Sequence, residues 1–151
     1  YSIGLERVKN KFYKNTENYF RFTYLVNRKN TDISQRNLYF QSGVLVDDAD
    51  GFFYGMHGDW ETRRWFSGFG YKDTKNTFGQ DYTDQYIQLG VAPYVGDYGD
   101  LHTWIMIKTK KNSLTNTQST YPELKFFKGP TLVKFGYSDK TEWDLHLMYR
   151  F

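Results

Sequence analysis

Cysteine is absent from the 151 residues, which excludes a disulfide scaffold and thiolate metal sites. No run approaches the roughly 18 to 20 apolar residues that a membrane-spanning helix requires. Val, Ile and Leu, with which a soluble β-sandwich fills its interior, are few. The apolar mass is instead aromatic, with 14 Tyr, 13 Phe and 4 Trp. Charged residues make up 25% of the chain and the mean hydropathy is -0.74, so these rings are spread thinly along polar segments. That distribution suits a structure that is polar inside and apolar outside. A charged region followed by an apolar stretch is missing from the start of the sequence, so any signal peptide is expected to have been removed. The first residues, Tyr1-Ser2-Ile3-Gly4-Leu5, already read as strand. The net charge of +3 is modest and unclustered, and no nucleic-acid partner is expected.

What is present is alternation. In the last segment Trp143, Leu145, Leu147, Tyr149 and Phe151 share one face, and Asp144, His146, Met148 and Arg150 the other. Phe52, Tyr54, Met56 and Trp60 alternate in the same way with Phe53, Gly55, His57, Asp59 and Glu61. Between Tyr86 and Val95, Ile87, Leu89, Val91 and Val95 oppose Gln88, Gly90 and Ala92. Apolar faces with aromatics near their ends are the pattern of transmembrane strands, whose polar face lines a lumen.

Turn signals between such runs divide the chain into strands near residues 2 to 10, 18 to 27, 36 to 46, 52 to 61, 64 to 73, 84 to 95, 101 to 109, 119 to 127, 131 to 138 and 141 to 151. Most approach the roughly 9 to 11 residues that a tilted strand needs to cross a bilayer. The expected fold is therefore all-β: one domain over residues 1–151, a transmembrane antiparallel up-and-down barrel with about ten strands visible, within a range of about eight to twelve and with further strands allowed before Tyr1. If the chain ends on the periplasmic side, the joins at Lys128-Gly129-Pro130, Gly96 to Asp100 and Glu61 to Arg64 are periplasmic and short, while Lys110 to Gln118 and Thr74 to Thr83 are extracellular and long. Arg28 to Gln35 reads too long for this scheme, and Asp47 to Gly51 too compact.

The ending Leu147-Met148-Tyr149-Arg150-Phe151 resembles the C-terminal signature of bacterial outer-membrane barrels, an alternating aromatic strand closing on Phe. The resemblance implies an outer-membrane location, contact with lipid and lipopolysaccharide, and recognition of Phe151 by the barrel-assembly machinery. A narrow barrel rich in Tyr, Arg and Lys is also similar to the small monomeric porins for acidic oligosaccharides, such as the oligogalacturonate porin family, whose usual barrel has more strands. Asn37-Leu38-Tyr39-Phe40-Gln41-Ser42-Gly43 matches the core of an engineered viral-protease site, with Arg36 where Glu is usual. The native reading is preferred, because Leu38, Phe40, Val44 and Val46 continue the alternation.

The expected lumen lining comprises Arg21, Gln41, His57, Asp59, Gln88, His102, Lys108, Lys134, Asp144, His146 and Arg150, mixed in sign with a modest basic excess. Cationic side chains in a narrow lumen concentrate anions. The expected function is passive diffusion of small hydrophilic solutes, anionic or sugar-like, with no cofactor and no metal. The alternative is a plugged barrel with a structural, adhesive or lipid-binding role, since a barrel of about eight to ten strands is narrow enough for side chains to fill. His57 with Asp59, His102 with Asp100 and His146 with Asp144 are the only acid–base pairs an outer-membrane hydrolase would use, and such pairs arise in any charged lumen, so no catalytic role is expected. A metal site built from the three His residues is disfavoured by their separation along the chain. Lys108, Lys110 and Lys111 are placed at the outer rim, where lipopolysaccharide phosphates would lie. A soluble lipocalin-like barrel would instead turn its aromatics inward.

Overall fold

A computed structural model of the chain describes residues 1–10, 14–46, 50–75, 79–97, 99–139 and 142–149. Ten strands follow one another: β1 (Ser2–Asn10), β2 (Asn15–Asn30), β3 (Ser34–Leu45), β4 (Phe52–Thr62), β5 (Trp65–Lys75), β6 (Tyr82–Val91), β7 (His102–Asn112), β8 (Thr117–Lys128), β9 (Thr131–Ser138) and β10 (Glu142–Tyr149). Each pairs with the next in antiparallel register, forming one sheet curled into an open half-barrel, with no helix among the described residues. The expected all-β, up-and-down architecture is what the chain forms. Within the described residues β1 and β10 are the two edges and do not pair with each other.

The curl follows from the alternation. Side chains of one parity crowd the concave face, and that face has room because glycines stand beside the largest residues. A Cβ on Gly43 would collide with the Phe53 ring, one on Gly70 with the Tyr86 ring, and one on Gly90 with the Met106 side chain. Pairing a missing side chain on one strand with a bulky one on the next lets the sheet bend without voids.

Two apolar clusters occupy opposite ends of the concave face. Tyr19, Leu45 and Phe53, with Val8 against them, lie where β1 meets β2 and β3 meets β4. Phe66, Ala92, Trp104 and Met106, with Phe127, lie at the other end of β5 to β8. The convex face carries the remaining large apolar residues in the open, among them Ile87, Leu89, Ile105, Ile107, Leu145 and Leu147. Rings gather toward its two rims: Phe52, Tyr54, Tyr137 and Trp143 at one, Trp60, Trp65 and Tyr149 at the other. The Trp143 ring packs at a tilt against Phe135 and Tyr137, with centroids 4.9 and 4.8 Å apart.

Several boundaries differ from the expected ones. β2 runs on to Asn30 and β3 begins at Ser34, so the join expected to be long is a tight turn in which the Thr31 hydroxyl accepts from the Ser34 N–H at 3.0 Å. A register shift between Leu25 and Asn27 allows β2 to continue past the point where its alternation breaks. β6 occupies Tyr82–Val91 and not 84 to 95, because Pro93 has no N–H to give the ladder. The connection 92–101 is consequently longer than expected. The Lys110 to Gln118 loop shrinks to 113–116, held by Asn112 Oδ1, which accepts from the Leu114 and Thr115 N–H groups at 2.9 and 3.2 Å.

Candidate functional site in the concave face

The register assigns the faces without ambiguity. Arg21, Gln41, His57, Asp59, Gln88, His102, Lys108, Lys134, Asp144 and His146 all project to the concave side, since each is paired through strand partners of the same parity. Arg150 and Phe151 lie outside the described residues. Residues 37–43 form the middle of β3, with Gln41 concave and Phe40 and Val44 convex.

Four cations of the concave face, two of them expected to line a lumen, are tied to carboxylates by cross-strand contacts. Glu6 on β1 accepts from Arg21 on β2 at 3.2 Å and from Lys72 on β5 at 2.7 Å. Lys125 on β8 reaches Glu61 on β4 at 3.6 Å. Lys108 on β7 donates to Asp144 on β10 at 2.7 Å and lies 3.5 Å from Glu123 on β8. A flat sheet would hold β1 and β5 roughly 19 Å apart, at about 4.8 Å per strand, so such contacts require the curl. The expected basic excess is thus largely neutralised within the wall.

Lys72 and Lys125 have a second, parallel role. The Lys72 Nζ sits 4.0 Å from the Phe53 ring centroid, over the first apolar cluster. The Lys125 Nζ sits 4.0 Å from the Phe66 ring and 4.6 Å from the Trp104 ring, over the second. Each cluster is therefore roofed by a cation held between π faces and a carboxylate, which compensates the cost of desolvating the ammonium.

Between the clusters lies a polar band. Asn37 Nδ2 donates to Asp59 Oδ1 at 2.8 Å, and Arg21 donates to Gln41 Oε1 at 2.8 Å. Tyr121 donates its hydroxyl to Asp144 at 2.6 Å. His57 stacks on Tyr39, with ring centroids 4.8 Å apart. His102 stacks on Trp104 at the rim. Of the acid–base pairs, Asp59 is engaged with Asn37 and Asp144 with Lys108 and Tyr121, leaving no His–carboxylate hydrogen bond among the described residues. The three His residues stand on β4, β7 and β10, and no group of metal ligands forms among the described residues.

Lys108 and Lys110 lie on β7 at different heights, the second two residues from the strand end at Asn112. Both belong to the concave face of β7, opposite Gln88 and Tyr86, and Lys111 alone of the three projects to the convex side. Strand parity would have found Glu6, Glu61, Lys72, Glu123 and Lys125, all of which sequence reasoning left off the lining. Two surface hollows, about 360 and 460 Å³, are lined mainly from the convex face, by residues such as Leu38 with Trp60 and Pro122 with Tyr137.

Comparison with family models, with curated proteins and with solved structures finds no match to this chain. The class is therefore set by the fold alone: an open antiparallel β-barrel.

Proposed function

We propose that this chain forms the wall of a bacterial outer-membrane barrel whose concave face guides passive diffusion of small hydrophilic solutes, anionic or sugar-like. The supporting observation is the inversion of polarity across the sheet. Ile107, Leu145 and Leu147 are 61%, 68% and 71% exposed on the convex side, while Glu123 and Lys125 are 2% and 6% exposed on the concave side. An apolar surface of this extent is costly in water and matched by lipid. Strands of 8 to 16 residues and rings at both rims suit the dimensions of a bilayer. On this reading the convex face meets lipid and lipopolysaccharide, Phe151 addresses the assembly machinery, and diffusion calls for no cofactor.

A second reading, a plugged barrel with a structural, adhesive or lipid-binding role, is favoured by the contacts Glu6–Lys72, Glu61–Lys125 and Lys108–Asp144, which cross the concavity. Single-channel conductance of the refolded protein in a planar bilayer separates the two. Discrete steps, with selectivity taken from the reversal potential in a salt gradient, support diffusion. Insertion without conductance selects the plug, and failure to insert overturns both.

A further inference from the structure

We infer that Lys134 is the centre of an oxyanion subsite on the concave face, taking a carboxylate or phosphate group of a solute. The inference rests on the concave face being a solute path.

The register sets Lys125 on β8, Lys134 on β9 and His146 on β10 directly opposite one another, three basic side chains at one level of neighbouring strands. Like charges in directly opposed positions destabilise a sheet unless something offsets them. Lys125 is offset, by Glu61 at 3.6 Å and by the rings of Phe66 and Trp104. Lys134 is half-buried and, among the described residues, has neither a carboxylate within ion-pair distance nor a ring beneath it.

The acids nearest Lys134 pair with another cation, although Glu123 Oε1 itself accepts no hydrogen bond among the described residues. Glu123 and Asp144 lie within its Coulombic range, yet both turn to Lys108, and Asp144 also accepts from Tyr121. The remaining neighbours add basic groups: Lys125 on the adjoining β8, Lys108 on β7, His57 across the concavity, and His146 alongside. Arg21 comes within range of both His57 and His146, but its guanidinium is occupied by Glu6 and Gln41. Lys134 and His146 thus remain as neighbouring donors, and Lys134 has no carboxylate within ion-pair distance among the described residues. A carboxylate or phosphate accepts several N–H donors at once, here a charge-assisted one from the Lys134 ammonium and one from the His146 imidazole.

The test is a titration of inorganic phosphate, at constant ionic strength, into the detergent-refolded full chain, following the unfolding midpoint of wild type, Lys134→Gln and Lys134→Arg. A saturable rise in wild type, kept in Lys134→Arg and weakened at least tenfold in apparent affinity in Lys134→Gln, is expected. Without phosphate, Lys134→Gln should unfold later than wild type, because the opposed Lys125–Lys134 charges are relieved. No saturable rise in wild type, or the same rise in Lys134→Gln, overturns the subsite; the first of these needs no variant to fold. Conductance recorded on the same preparations keeps the two readings apart. A phosphate response in a protein that inserts without conducting removes permeation and leaves the subsite, whereas conductance with no phosphate response removes the subsite alone.

Discussion

The Lys72 ammonium lies 2.7 Å from the Glu6 carboxylate, joining β5 to β1 across three intervening strands and 66 positions of sequence. Neither partner has more than a quarter of its side chain exposed. Removing one leaves the other partly desolvated and unpaired. Glu6→Gln or Lys72→Met should each lower stability by about 2 to 4 kcal/mol, and the double variant should lose less than the sum. A double-mutant cycle of urea unfolding in lipid vesicles checks this, and additive losses would show that the contact contributes nothing.

Gly70 is the floor on which the Tyr86 ring rests, and a Cβ there meets the ring at once. Gly70→Ala should cost about 1 to 3 kcal/mol through overpacking. Combining it with Tyr86→Leu should recover part of the loss, measured by the midpoint of unfolding followed by Trp fluorescence.

Ile107 stands midway along β7 on the convex face and is 61% exposed. If that face meets lipid, Ile107→Arg should destabilise the folded protein in vesicles by about 2 to 4 kcal/mol. In water a surface exchange of this kind stays within about 0.5 kcal/mol. Equal stability of Ile107→Arg and Ile107→Ala in vesicles would therefore refute a bilayer-facing convex side.

At the β8–β9 turn Gly129 has φ of 55°, in the left-handed region. Gly129→Ala should cost about 1 to 2 kcal/mol with no change in conductance or insertion, because only the turn backbone is strained. A larger loss accompanied by failed insertion would mean that the turn serves assembly as well as geometry.

The sequence alone determined the strands and their faces. Period-two alternation leaves a strand no freedom about which side a residue takes, so Ile87, Leu89 and Val91 against Gln88 and Gly90 were legible before any pairing was known. Strand ends were less so: the bulge between Leu25 and Asn27 is a defect in alternation that only pairing with β3 makes tolerable. The partners of the concave charges were not legible at all. Arg21, Lys108 and Lys134 look alike as isolated basic residues, yet the β1–β2 register ties the first to Glu6, the curl ties the second to Asp144, and the third has no carboxylate within ion-pair distance among the described residues. Local periodicity fixes which way a side chain points, but contacts across a concavity depend on curvature. That curvature is set jointly by glycines and rings on neighbouring strands, and so it exists only in the assembled sheet.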